Sequence, residues 1–343
     1  MALLIKENFH SVSHTIRSLL SKNNVIILSC IGTGVGFGLL RWYFSGAKCR
    51  CTRQLTGKTV IVTGSNRGIG RETARDFAKR GARVILAVRD ITKGERAAED
   101  IRQSTGNKNV IVRIVDLSSL ESVRKFCRHI LEKEERLDIL VNNAGVRFCP
   151  HWTSQEGYEL HFAVNHLGHF LLTNLLVNLM KKSAPSRIIC VTCMAYEEGS
   201  INFDDLNSQR SYDPWTAYTQ SKLANILFSQ ELSSRLAGSG VTVNSVNPGI
   251  VQSELGRYTG DNKPSLWRRV LLKIVGFIIM KTPQQGAQTS VYCAVSDQLE
   301  NVSGKYFSDC CIRDTSSVAK DQVTSTQLWD VCCKRVNLHL PPT

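Results

Sequence analysis

The sequence predicts an α/β fold, a doubly wound parallel sheet behind an N-terminal membrane anchor. Three observations predict it. From about residue 57, runs rich in Val and Ile alternate with amphipathic segments of helical length. The runs are continuously apolar, the pattern of strands covered on both faces. The first run leads directly into a glycine-rich turn, Thr63-Gly64-Ser65-Asn66-Arg67-Gly68-Ile69-Gly70, which opens the first helix.

The elements follow in order. KTVIVTG (58–64) is a strand, and Ile69 to Arg80 a helix that stops at Gly81. RVILAVR (83–89) is a strand and 93–104 a helix; VIVRIVD (110–116) is a strand and 119–134 a helix. LDILVNNAG (137–145) is a fourth strand, followed by a helix over about 156–181. The strand RIICVTC (187–193), a helix over 215–237 and the strand VTVNSVNPG (241–249) complete the pattern. Strand and helix alternate as in a Rossmann-like domain, with no internal repeat and no low-complexity linker.

The net charge of +14 raises the question of nucleic acid, but its distribution points elsewhere. Residues 1–60 hold eight Lys/Arg and one Glu; residues 263–281 hold five Lys/Arg and no acid, leaving about +2 for everything else. The charge sits beside two apolar stretches, so a membrane surface is the better partner. No zinc-finger spacing, RNP-like motif or Arg-rich arm accompanies it. The twelve cysteines are scattered in a chain too large to need a disulfide framework, which reads as reduced thiols. Cys49 and Cys51, just after an apolar segment, leave palmitoylation open beside an ordinary surface location.

That segment, VIILSCIGTGVGFGLLRWYF (25–44), has about the length of a spanning helix and one charge, Arg41, near its end. Residues 1–24 are long for the start of a cleaved signal peptide, and Trp42-Tyr43 suits an interfacial belt, so an uncleaved signal anchor is expected. Three Lys/Arg precede it and five fall in 41–58, which places the main domain in the cytosol. Gly32, Gly34, Gly36 and Gly38 space small residues on one helix face, which leaves a homo-oligomer open. The expected organisation is an N-terminal segment (1–24), the anchor (25–44), a basic linker (45–56), a catalytic domain (57–335) and a tail (336–343).

The glycine turn lets backbone approach a pyrophosphate at a helix N-terminus, although its spacing is G-x-x-x-G-x-G rather than G-x-G-x-x-G. At the end of the second strand, Val88 stands where NAD-preferring folds place an acid, and Arg89 follows. With Arg67 in the turn, two guanidiniums favour a 2′-phosphate, hence NADP(H). Asp116, closing the third strand, is placed to accept from the adenine amine, with Leu117 beside it.

In this order, TGSNRGIG, NNAG (142–145), Asn165, Tyr218-x-x-x-Lys222 and Pro248-Gly249 resemble the short-chain dehydrogenase/reductase family over roughly 57–335. "VNHLGHFLLT" (164–173), "SKLANILF" (221–228), "VQSEL" (251–255), "KTPQQGAQTS" (281–290) and "FSDC" (307–310) are similar to its microsomal retinol dehydrogenases. The resemblance implies hydride transfer between NADP(H) and an alcohol/carbonyl pair at the endoplasmic reticulum. It implies Tyr218 as general acid/base and Lys222, four residues on and on the same helix face, as the cation that lowers the phenol pKa. Asn165 would hold a relaying water. Asn142, Ala144 and Gly145 would line the cofactor; Pro248, Gly249 and Val251 would shape the nicotinamide wall.

The family's catalytic serine position falls, on this likeness, at Cys193 of Thr192-Cys193. A thiol is a weak donor, and losing a strong one to a developing oxyanion costs roughly 10²–10³ in rate. Three readings stay open: a slow enzyme in which Cys193 or Thr192 substitutes, a cofactor-binding protein with a regulatory or scaffold role, or a substrate that needs less polarisation. LWRRVLLKIVGFIIM (266–280) is too short to span, and its basic and apolar residues suit an interfacial helix in a substrate lid over about 257–285. An apolar substrate is expected: a retinoid by resemblance, with lipid-derived aldehydes and steroids as alternatives.

Overall fold

The computed structural model describes residues 34–252 and 276–338, which fall into two units. The smaller comprises 34–46 and 276–280. In it, helix α1 (Gly34–Phe44) ends on exposed Trp42 and Tyr43, and 276–279 are helical. The Arg41 guanidinium donates to the Met280 carbonyl at 3.1 Å and lies over the Phe277 ring. Among the described residues no helix is long and apolar enough to cross a membrane; residues 25–33 of the expected anchor, and 266–275 of the expected interfacial helix, lie outside them.

The larger unit is the α/β domain. Strands β1 (Thr59–Thr63), β2 (Arg83–Val88), β3 (Val110–Ile114), β4 (Ile139–Asn142), β5 (Ser186–Val191) and β6 (Val241–Asn247) form a parallel sheet in the order β3-β2-β1-β4-β5-β6. Every residue of β1, β4, β5 and β6 is buried, as strands covered on both faces require, including the polar Thr242, Asn244, Ser245 and Asn247 of β6. Helices α2 (Gly68–Lys79) and α3 (Ile91–Thr105) bury Phe77, Ala98 and Ile101 in a core on one face. Helices α4 (Leu120–Lys133), α5 (Gly168–Lys182) and α6 (Pro214–Arg235) bury Phe126, Leu171 and Ile226 in the core on the other. The order reverses between β1 and β4, so the crevice at their carboxyl ends is the switch point where such folds bind ligands.

Several elements, the chief of them C-terminal, were not foreseen from the sequence. The chief ones are α7 (Gln288–Val295), the three-residue strands β7 (Tyr306–Ser308) and β8 (Cys311–Arg313), and α8 (Gln322–Arg335). β7 extends the sheet parallel to β6, and β8 closes it antiparallel. The expected helix over 156–181 also starts later. The buried Glu159 carboxylate accepts from the backbone N–H groups of His161 and Phe162, at 2.9 and 2.8 Å, and so supplies the start signal. Residues Phe162–Leu167 then form a π-helical turn, with α5 following. The expected lid runs too far: Val251 and Lys281 form a parallel bridge, so 281–285 belong to the domain body. The described cysteines are all free thiols.

Candidate active site

The candidate residues are strung across the carboxyl ends of the strands in sheet order: Asp116 after β3, Arg89 after β2, the glycine turn after β1, Asn142 to Gly145 at β4, Cys193 after β5 and Pro248-Gly249 after β6. This row begins where an adenosine would sit and ends beside Tyr218.

The glycine turn fits a pyrophosphate. Gly64 and Gly68 have φ of +64° and +56°, open to glycine without strain. α2 begins at Gly68 with no acid in its first turn and no side-chain cap from Arg67, which leaves its positive end for an anion. A Cβ on Gly68 would meet nothing within 4 Å, whereas one on Gly70 would stand 2.6 Å from the Gly64 carbonyl oxygen and 2.5 Å from Asn143 Nδ2. Gly70→Ala therefore forces the turn apart at a cost of about 1–3 kcal/mol. A fluorescence titration should show NADPH affinity at least tenfold weaker, and unchanged affinity would contradict this account of the turn. Ser65 is buried and donates to the Val62 carbonyl at 2.8 Å; Asn66 and Ile69 are half-buried, and Ile69 faces Gly286, which also packs on Val251. Val88 is buried, while Arg89 is exposed with no ion-pair partner among the described residues. Asp116 turns its carboxylate back on Ser118, accepting from its backbone N–H and hydroxyl. The Leu117 carbonyl packs against Gly168.

At β4, the side chains of two adjacent asparagines part. Asn142 is buried and donates to Thr173 Oγ1 at 2.8 Å, so its amide serves the core rather than the crevice. Asn143, not singled out from the sequence, donates to the Thr63 carbonyl, and the Asn143 and Ala144 amides both donate to Thr63 Oγ1 at 2.9 Å. Thr63 in turn meets His169 Nε2 at 2.9 Å, while His169 Nδ1 lies 3.1 Å from the Asn165 carbonyl oxygen. Burial holds His169 down to about 4, so it is a neutral strut joining the glycine turn to the π-helical turn.

Asn165 sits in that turn with its amide saturated: Oδ1 accepts from Val146 N–H, and Nδ2 donates to the Val146 carbonyl and to Ser221 Oγ. Ser221 donates to the Tyr218 carbonyl, so Asn165 braces the helix that carries Tyr218. Lys222 is buried, and a Cβ on Gly145 would stand 3.6 Å from its Nζ. Its ammonium lies 5.6 Å from the centre of the Tyr218 ring, where burial depresses its own pKa.

Cys193 Sγ lies 3.3 Å from Tyr218 Oη. Thr192 is buried, and its hydroxyl donates to the Lys222 carbonyl at 3.0 Å, so Cys193 alone of the pair faces the phenol. One expectation is corrected here. Lys222 was to lower the Tyr218 pKa, but burial raises it above the ordinary phenol value, Cys193 adds to the rise, and Arg147 is the group that opposes it.

Beyond β6, Pro248 is buried and Gly249 takes φ of +80°. The aliphatic chain of Lys281 fills the space a Gly249 side chain would need, and Nζ pairs with Asp309. Lys281 N–H donates to the Ile250 carbonyl at 2.8 Å, so this buried lysine buttresses the Pro-Gly loop. Sequence alone left it inside the lid. Its signal was a lone cation ending an apolar run, which is no signal without a partner in view.

A pyrophosphate cradle, a Tyr-Lys pair on one helix and a polar side chain beside the phenol define an oxidoreductase of the short-chain type. The short chain dehydrogenase family pattern matches residues 58–264, and the chain belongs to that family. Human retinol dehydrogenase 13 is 49% identical over 92% of this chain and 95% of its own length. Human retinol dehydrogenase 11 is likewise 49% identical, over 88% and 92%. The crystal structure of an uncharacterized protein from Mycobacterium paratuberculosis is 33% identical and superposes with a TM-score of 0.69 over 87% of this chain and all of its own.

Proposed function

We propose that this oxidoreductase interconverts an apolar alcohol and its carbonyl with NADP(H), retinol and retinal being the leading pair, while tethered to the endoplasmic reticulum membrane. The observation that carries the reading is the 3.3 Å contact between Cys193 Sγ and Tyr218 Oη on a helix that also buries Lys222. A nicotinamide cofactor supplies or accepts the hydride when bound. The glycine turn, Asn143 to Gly145 and the Pro248-Gly249 loop would hold it, with Lys222 close enough to Gly145 to reach a ribose. Tyr218, protonated across neutral pH, would donate its proton to the substrate oxygen, and Cys193 would steady that oxygen from the side. Exposed Met194 and Ile250, next in sequence to Cys193 and Gly249, offer the substrate an apolar surface, and both human relatives carry retinol in their names.

NADP(H) is supported by Arg67 in the turn, exposed Arg89 and the absence of an acid at Val88. The tether rests on residues 25–44, and the cytosolic orientation on their flanking charges. The weak donor at Cys193, with Thr192 committed elsewhere, favours a second reading: a protein that holds NADP(H) with little turnover and acts as a scaffold or regulator.

The full chain in microsomes, given retinal, is expected to consume NADPH at least tenfold faster than NADH at equal concentration, since a 2′-phosphate paired with arginine is a charge-assisted contact. Equal rates would refute the NADP(H) assignment. Asn301 of the Asn301-Val302-Ser303 acceptor is exposed and should remain unglycosylated; a glycosidase-sensitive band shift would place the domain in the lumen.

A further inference from the structure

Arg147 takes no part in the reading above, yet the loop carrying it is built with care. Val146 N–H donates to Asn165 Oδ1 at 2.8 Å. Cys149 is held on both sides: its N–H donates to His161 Nε2 at 3.2 Å, and its carbonyl accepts from the Tyr212 hydroxyl at 2.5 Å. Fully buried Glu159 accepts from His161 Nδ1 at 2.7 Å, which fixes the tautomer that leaves Nε2 able to accept. Between these anchors, Phe148 adopts φ of +55°, a conformation L-residues seldom take. Its ring stacks on Trp215 at 5.9 Å; the Trp215 indole N–H is tied to Glu198 and its ring lies 6.0 Å from Tyr218.

The Arg147 guanidinium lies 4.7 Å over the Phe148 ring, so a ladder of side chains leads from a cation to the phenol. Arg147 has no carboxylate partner among the described residues, and its guanidinium makes no hydrogen bond to them; Nε is closed off, so a ligand would meet the two Nη groups. Native proteins rarely leave such a donor unmatched, and a planar guanidinium fork is matched best by an anion with two oxygens. The charge also reaches the phenol, drawing the Tyr218 pKa down against burial. The cofactor phosphates have their own cradle at the glycine turn, whereas Arg147 stands on the Tyr218 side.

We infer that Arg147 is a substrate-recognition residue for a carboxylate carried on an apolar carbonyl compound whose reducible end meets Tyr218. The inference rests on the carbonyl-reductase reading of the site and adds to it a preference for acidic members of the apolar class. The test uses the full chain with NADPH bound, where neither an alcohol nor a carboxylate can react: dodecanoate and dodecanol are the matched ligands, followed by tryptophan fluorescence. The parent should bind dodecanoate about tenfold more tightly than dodecanol. Arg147→Met should bring the ratio to about one with NADPH affinity unchanged, and Arg147→Lys should keep part of it. The same ratio in parent and Arg147→Met, or an equal loss of both ligands, would overturn the inference. Dodecanal and 12-oxododecanoate are then assayed for NADPH consumption. If neither is reduced while the Arg147-dependent binding preference holds, the reductase reading fails and the carboxylate site stands.

Discussion

Tyr218→Phe is expected to lower carbonyl reduction by about 10²–10⁴, the usual worth of a positioned general acid, with NADPH affinity retained. The phenol is the group in the site that burial keeps protonated, and removing its hydroxyl leaves Cys193 with no partner at 3.3 Å. The raised pKa fixes the pH dependence in each direction. Reduction needs the protonated phenol, so its rate should stay flat across the neutral range and fall only where the phenol ionises, above the range of an ordinary tyrosine. Oxidation of the alcohol needs the proton removed, so its rate should climb with pH over the same span. A reduction rate that falls through pH 7, or a Phe variant with parental turnover, would remove Tyr218 from its assigned role. The phenyl ring keeps the packing against Trp215, so the comparison separates chemistry from folding.

The second large effect has the opposite sign. Cys193→Ser is expected to raise kcat for retinal by between about ten- and a hundredfold, because a hydroxyl replaces a weak donor where charge develops. The gain should appear in kcat with KM and thermal stability little changed, since Cys193 is only half-buried and the parent site already accommodates the larger sulfur. Thr192 cannot compensate in the parent, because its hydroxyl is committed to the Lys222 carbonyl. A serine variant no faster than the parent would mean that the position does not polarise the substrate.

The sheet from β1 to β6 was legible because strands buried on both faces are rich in Val and Ile, and the VIVT, VILAV and DILV runs are hard to mistake. β7 and β8 were not, because three residues such as Tyr306–Ser308 carry too little pattern to register. The start of the helix before α5 was misplaced because its signal, Glu159, sits two and three residues ahead of the amides it receives rather than in a Ser/Thr cap. Tyr218 and Lys222 could be paired through the family resemblance, with the i, i+4 spacing placing them on one helix face. The division of labour around them could not. Which of Thr192 and Cys193 faces the phenol depends on how the chain leaves β5. The sense of the Tyr218 pKa shift depends on desolvation, which no spacing reveals. Arg147 was not singled out and Lys281 entered only as one charge of a basic stretch; their meaning comes from what packs against them, Phe148 in one case and Gly249 with Asp309 in the other.

The central claim is that Cys193 and Tyr218 form a working, though weakened, carbonyl-reducing centre. Its most direct measurement follows NADPH consumption and retinol formation together, with retinal given to the parent and to Cys193→Ser at equal enzyme concentration. The account predicts slow, stoichiometric turnover by the parent and faster stoichiometric turnover by the serine variant. NADPH bound by both proteins but consumed by neither would contradict it and leave a cofactor-holding protein in its place.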